Sequence, residues 1–404
     1  MTSPFKIALF TYSTKPRGSV IHTLELAAAL AALGHEVCVY ALDKDGAGFS
    51  HSPHSSQAIP PLYKTVLIPS LPAPRDLELV IRLRIQEFID YLVQQPLSYD
   101  IYHAQDCITA NALLALQKQG LIPAVLRTIH HVDDFSNSYL HDCQHRSIVE
   151  PDLCFSVSHV WQRELYIRYG IQAPRVTNGV NVQQFQPVAT SADAHVRHRY
   201  GLTGQPLFLS VGGIEPRKNS MTVVQAFAEV RAAYPQAQWV IAGGASVFDY
   251  RDYRSAVRAL ATKQGLDWGR DVVVTGEILD ADLAALYRCA DGLVFPSLTE
   301  GWGLVVLEAI ASNTPVITSN IAPFTEFLAP NQALLVNPHR PQEIVQAMRW
   351  VLQPAIASAL LDNSRTLCAS YTWEASARTH LQHYTALRPE AAPAFTSRIS
   401  EFSL

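Results

Sequence analysis

One pattern constrains this chain more than any other. Short apolar segments of strand length alternate with segments of helix length, and the alternation runs through the sequence twice. Parallel strands need crossover connections long enough to hold a helix, so the pattern predicts an α/β fold with parallel sheets. The first run offers strands at residues 6–10, 37–42, 64–68, 101–104, 124–129 and 153–157, with helices near 20–33, 76–93, 110–119 and 158–169. The second offers strands at 206–213, 238–244, 271–276, 292–295, 315–319 and 333–336. Its helices lie at 220–233, 253–264, 281–289, from about Gly303, 341–352 and 373–386. A polar, Ala-rich stretch at 188–200 carries little strand pattern and marks the boundary between two doubly wound domains. Ligands of such sheets bind at the carboxyl ends of the strands, so a ligand shared by both domains would lie in the cleft between them. Residues 44–62, rich in Gly, Ser, His and Pro, read as a long loop of the kind that is functional or mobile.

Composition bounds the partners. A length of 404 residues suits two domains, and 48% hydrophobic with 16% charged residues supplies core for both. A net charge of −4 argues against a general nucleic-acid binder, which would need clustered Lys and Arg. The six cysteines are scattered with no C-x-x-C pair, which fits buried free thiols in a reducing compartment. The N-terminus enters a strand without a charged-then-apolar leader, and no apolar run approaches the ~20 residues that span a bilayer. A cytoplasmic protein is expected. Residues 75–94 mix Arg75, Arg82 and Arg84 with Asp76, Glu78, Glu87 and Asp90. They read as a buried domain helix, with a weak peripheral membrane contact as the lesser alternative.

The chemistry concentrates in residues 299–309, TEGWGLVVLEA. Glu300 precedes a helix and Glu308 lies in its second turn, leaning back toward the N-terminus. Between them the free N–H groups of Gly301, Trp302, Gly303 and Leu304 form an anion site. A carboxylate can accept both hydroxyls of a vicinal diol. Two carboxylates flanking a phosphate cradle therefore match a sugar–diphosphate–ribose ligand, a nucleotide sugar. In VGGIEPRKN, residues 211–219, a strand ends in Gly212-Gly213, and Arg217 and Lys218 stand at the entrance of the next helix. This basic pair would offset the repulsion between a diphosphate and the two carboxylates. His130, past the strand of RTIHH, sits where the cleft edge of the first domain should be. Gly18 would let a ligand approach the first helix N-terminus. His130, His131, Asp133, Asp134, His141, Cys143 and His145 cluster in sequence but lack a diagnostic ligand spacing, so no metal site is expected.

Together these residues resemble the retaining GT-B glycosyltransferases of family 4, also called glycosyltransferase group 1. The resemblance runs from the Gly18 loop through HAQD (103–106), RTIHH, TNGVN and VGGIEPRKN to TGEI (275–278) and FPSLTEGWGLVVLEAIASNTPVI. It implies two Rossmann-like domains facing across a cleft: residues 1–183 on the acceptor side, completed by a C-terminal helix at 371–390, and 184–370 on the donor side. By the same resemblance Glu300 contacts donor-sugar hydroxyls, Glu308 the ribose, Arg217 and Lys218 the diphosphate, and Glu277 and Ile278 the nucleobase. His130 would lie near the reacting centre. Departures stand at Ser19, Gly213, Asn181 and Asn313, where the family more often has Gly, Arg, Asp and Gly.

The expected activity is transfer of a sugar from a nucleotide-diphosphate sugar to an unidentified acceptor: a sugar, a lipid-linked sugar or a small molecule. Anomeric configuration is expected to be retained, with no cofactor and no metal. The alternatives are a nucleotide-sugar epimerase or hydrolase, a non-catalytic nucleotide-sugar sensor, and a metalloenzyme built on the His cluster.

Overall fold

The computed structural model describes residues 3–49, 62–244 and 250–387. Its first half carries β1 (Lys6–Thr11), α1 (Gly18–Ala32), β2 (Glu36–Asp43), β3 (Lys64–Pro69), α2 (Leu77–Leu92), β4 (Ile101–Ala104), α3 (Cys107–Lys118), β5 (Leu126–Ile129), α4 (Ser138–Val149), β6 (Leu153–Ser156) and α5 (His159–Tyr169). The second half carries α6 (Ser191–Arg199), β7 (Leu207–Val211), α7 (Ser220–Ala233), β8 (Gln238–Ala242), α8 (Arg251–Lys263), β9 (Val272–Gly276), α9 (Asp280–Cys289), β10 (Gly292–Phe295), α10 (Leu304–Ala311), β11 (Val316–Ser319) and β12 (Leu334–Val336). It ends with α11 (Pro341–Val351), α12 (Pro354–Ser370) and α13 (Trp373–Ala386). Most of the loop expected at 44–62, and the last residues of the helix expected at 371–390, lie outside the described residues.

The strands form two parallel sheets. The first runs β3-β2-β1-β4-β5-β6, and the second, from its far edge, β9-β8-β7-β10-β11-β12. Each order reverses direction once, between β1 and β4 and between β7 and β10, which opens a crevice at the carboxyl ends of those strands. Strands buried on both faces explain the near-continuous apolar runs of the sequence: β1 is buried from Ile7 to Thr11 and β8 throughout.

Helix α13 packs on the first half. Its Ala377 and Tyr384 join the core built on Phe5, Ile7, Leu9 and Leu24. The Tyr384 hydroxyl lies 2.7 Å from His103 Nδ1 on β4.

Three helices go beyond the sequence reading. The stretch 188–200, with little strand pattern as expected, holds α6, started by a capping box between Thr190 and Asp193. Residues 138–149, absent from the expected helices, form α4, capped when the Asn137 side chain accepts from Leu140 N at 3.0 Å. Helix α12 was missed. Pro354 looks like a breaker, yet it occupies the first helical turn, where a missing N–H costs nothing. Helix α2 presents Arg84, Glu87, Phe88 and Leu92 inward, and Arg84 pairs with Glu87 at 2.7 Å. No single described helix is long and apolar enough to cross a membrane.

Candidate active site

The second sheet sets one wall of the cleft. After β7 the chain passes Gly212 and Gly213, and a Cβ on Gly213 would lie 2.5 Å from the Gly244 carbonyl oxygen. Residues Pro216–Lys218 then form a 3-10 turn that ends at Asn219 in the left-handed conformation. Asn219 pins this turn by donating from Nδ2 to the carbonyls of Pro296 (3.2 Å) and Pro338 (2.6 Å). The Arg217 carbonyl accepts from Leu298 N at 2.8 Å, which ties the turn to the loop after β10. Arg217 and Lys218 are thereby held against Glu300.

Glu300 takes both cations. Its Oε1 lies 2.9 Å from Arg217 Nη1 and 2.5 Å from Lys218 Nζ. Glu215 flanks the group, 2.9 Å from Arg217 Nε and 3.8 Å from Arg17 Nη1 of the first half. Burial raises the Glu300 carboxyl, but the Lys218 and Arg217 charges outweigh it and hold the pKa at about 2. Lys218 moves the opposite way to what a carboxylate partner alone would produce. Burial and the adjacent Arg217 charge pull it down to about 8, against the attraction of Glu300. Its ammonium also lies 4.2 Å from the centre of the Phe295 ring.

Beyond Glu300, Gly303 stands in the left-handed region (φ 100°) and offers no side-chain cap to α10. A Cβ there would meet Phe324 Cε1 at 2.6 Å. The first backbone N–H groups of α10 have no intrahelical acceptors, a disposition that suits an anion. The Trp302 side chain is not part of this mouth. It is buried, stacked on Phe327 at 4.8 Å, and only its backbone belongs to the turn. Glu308 is buried on α10, and its Oε2 accepts from the Tyr287 hydroxyl of α9 at 2.8 Å.

The first sheet supplies the facing wall. His130 follows β5, and its carbonyl oxygen fills the space a Cβ on Gly301 would take, so the two walls touch through backbone. Its Nε2 lies 3.3 Å from Gln105 Oε1, and its ring meets His22 edge-on at 4.8 Å. Burial, with the neighbouring His22 and Arg127, holds His130 well below the ordinary histidine pKa, as a neutral ring. Gly18 opens α1, and a Cβ there would meet open space. Lys15 reaches Glu277 across the cleft at 3.4 Å, while Ile278 is buried in the second core.

His130, Arg217, Lys218, Glu300, Gly301 and Gly303 thus converge on one place. The His pair of α4 does not: His141 and His145 stack with centres 6.4 Å apart. Among the described residues no three His, Cys, Asp or Glu side chains are arranged to hold a metal ion. Sequence reading passed over Glu215, Gln105, Trp161 and Glu326. Of these, Gln105 and Glu215 stood inside recognised motifs.

Two family models match the sequence of the two halves. Glycosyltransferase Family 4 matches residues 16–184 and Glycosyl transferases group 1 matches residues 195–365. The chain belongs to the group 1 glycosyltransferases of family 4. Within that family it is similar to the serotype-specific mannosyltransferase WbdA of Escherichia coli, 29% identical over 248 residues, 58% of this chain but only 29% of that protein. It is also 26% identical over 329 residues to the D-inositol 3-phosphate glycosyltransferase of Acidothermus cellulolyticus, covering 76% of this chain and 72% of the relative. Among solved structures, sucrose-phosphate synthase from Thermosynechococcus elongatus aligns with a TM-score of 0.74 at 26% identity, over 95% of this chain and 99% of that one. The Anabaena HepE protein, solved with UDP-glucose, aligns with a TM-score of 0.75 over 95% of this chain and all of its own, at 16% identity, and so shares the GT-B fold.

Proposed function

We propose that this glycosyltransferase moves a sugar from a nucleotide-diphosphate donor to a hydroxyl acceptor, with retention at the anomeric carbon and without a divalent metal. The observation that carries the reading is the Glu300 carboxylate paired with both Arg217 and Lys218 at the mouth of the uncapped helix α10. Without a donor, the carboxylate neutralises the two cations. A bound diphosphate would draw Arg217 and Lys218 to itself, in reach of the α10 N–H groups, and would free Glu300 to accept hydrogen bonds from sugar hydroxyls. Two fixed cations supply the charge a metal would otherwise bring, and they stabilise the leaving diphosphate as the anomeric C–O bond breaks.

The acceptor oxygen then bonds to the anomeric carbon on the face the diphosphate leaves, and the acceptor proton passes to a departing phosphate oxygen. The products are a glycoside and a nucleoside diphosphate. His130 is a neutral hydrogen-bonding group beside the reacting centre in this scheme. The six free cysteines suit the same reading in a reducing, cytoplasmic setting.

Thermal stabilisation against a nucleotide-sugar panel tests the donor. UDP-glucose heads the panel because HepE was solved with it, and mannosyl donors follow because of WbdA. A true donor at 100 times its Kd adds about 2.7 kcal/mol of stability. Inositol phosphates and simple sugars form the acceptor panel. The product's anomeric proton coupling then decides retention, and undiminished turnover in EDTA decides metal independence. No stabilisation by any nucleotide sugar would overturn the reading.

A further inference from the structure

Helix α5 begins at a residue well suited to cap it. Ser158 is at the N-cap position, yet it makes no side-chain cap, and its buried Oγ has no hydrogen-bond partner among the described residues. The cap comes from the other domain. Glu326, on the 3-10 turn after β11, accepts from His159 N at 2.7 Å and from Val160 N at 2.8 Å, one backbone N–H on each carboxylate oxygen. A carboxylate there also meets the positive end of the helix dipole. One residue further on, the buried Trp161 indole donates from Nε1 to the Glu300 carbonyl oxygen at 2.9 Å. A single helix turn of the first domain therefore grips the second domain at two places, and one of them is the backbone of the carboxylate that holds Arg217 and Lys218.

We propose that Trp161 is a positioning residue for Glu300, and that Glu326 locks it in register by capping α5 across the cleft. The indole fixes the peptide that follows Glu300, which sets where its carboxylate points between the cations and the donor sugar. Separating the domains would break both contacts together, leaving α5 uncapped and the Glu300 carbonyl unheld. Closure and carboxylate placement are thus one event. This rests on the donor-transfer reading above only for its kinetic consequence; the clasp itself is independent of any substrate.

Two variants test it. Trp161→Phe keeps an aromatic ring in the pocket and removes the N–H. It should lower kcat about tenfold while the Kd for the nucleoside diphosphate, which lacks the sugar Glu300 would bind, stays within twofold. Glu326→Gln replaces a charged acceptor with a neutral one. Amide exchange at His159 and Val160, followed by NMR, should accelerate about tenfold while the β1 and β4 amides stay unchanged. The Trp161 indole proton, assigned by its loss in Trp161→Phe, should lose protection in step.

Unchanged kcat in Trp161→Phe, or a fall in nucleoside diphosphate affinity equal to the fall in kcat, would overturn the positioning role. Equal exchange at His159 and Val160 in wild type and Glu326→Gln would overturn the clasp. A wild type that transfers no sugar would defeat the transfer reading instead, and the exchange and indole measurements would still decide the clasp.

Discussion

The two sheets share one strand order, and they treat the same turn in opposite ways. In the first, β4 leads through Gln105 to Asp106, whose Oδ1 accepts from Thr109 N at 2.9 Å and whose Oδ2 accepts from Tyr12 N at 2.8 Å. The protein's own carboxylate fills the anion site at the start of α3. In the second, β10 leads through a longer loop to Gly303, and α10 starts without a side-chain cap. One switch point is capped by a side chain of the chain itself and the other is not. The cleft walls differ accordingly: neutral, hydrogen-bonded histidines on one side, a dense cluster of opposite charges on the other. The second half differs from the first by an omitted cap and an added basic turn, with no change of topology.

The sharpest way to break this contrast is Lys218→Ala. It removes a fixed cation and leaves Glu300 short of a partner, and kcat/KM should fall about 10²–10³-fold, read by steady-state assay. Near-normal turnover would mean the charged wall is not the working one. Next in size is Gly303→Ala, which forces a side chain into the left-handed region and against Phe324. Denaturant unfolding should report a loss of about 2–3 kcal/mol.

The pH profile follows. Glu300 titrates near 2, and burial keeps His130 neutral, so neither should produce an acid limb between pH 5 and 7. Lys218 is charged below about 8 and loses its proton above it. kcat/KM, which reports the free enzyme, should therefore drop about tenfold for each pH unit above 8. The kcat limb should lie higher, because a bound diphosphate favours the charged lysine, and Lys218→Arg should abolish both limbs.

Glu300 also sets a stability limit. Its pKa is lowered on folding from the ordinary carboxylate value, so its contribution is fully present above pH ~4.3 and is lost only as the pH falls toward 2. The smallest effect belongs to the capped switch point. Asp106→Ala should cost about 1–2 kcal/mol of stability, and Asp106→Asn, which can still cap, should restore most of it.

The central strands were legible because both their faces are buried, as in β1, β4, β8 and β10; the predicted segment at 101–104 coincides with β4. Helix α4 was not, since only Leu140, Cys143, Gln144, Ser147 and Ile148 of its twelve residues are buried and two of those five, Gln144 and Ser147, are polar. The basic pair, Glu300 and the glycines were legible because the chemistry lies within short local motifs. Glu215 could have been noticed in the same motif, but its partners Arg217 and Arg17 come from both walls. Trp161 and Glu326 carried no signal at all. Their contacts join residues 139 and 167 positions apart, and nothing in a helix sequence says that its cap will arrive from another domain.

The placement of α13 has a consequence for synthesis. His103 and Tyr384 are 281 positions apart, yet both belong to the core of the first domain. At ~5–20 residues per second, roughly 15–60 s separate the appearance of the two at the ribosome. During that interval the first domain stands with an unfilled groove over Phe5, Leu24 and Phe155, and the second domain is built in full. The half of the molecule that is made first is finished last, so chaperone demand during translation should fall on its exposed groove.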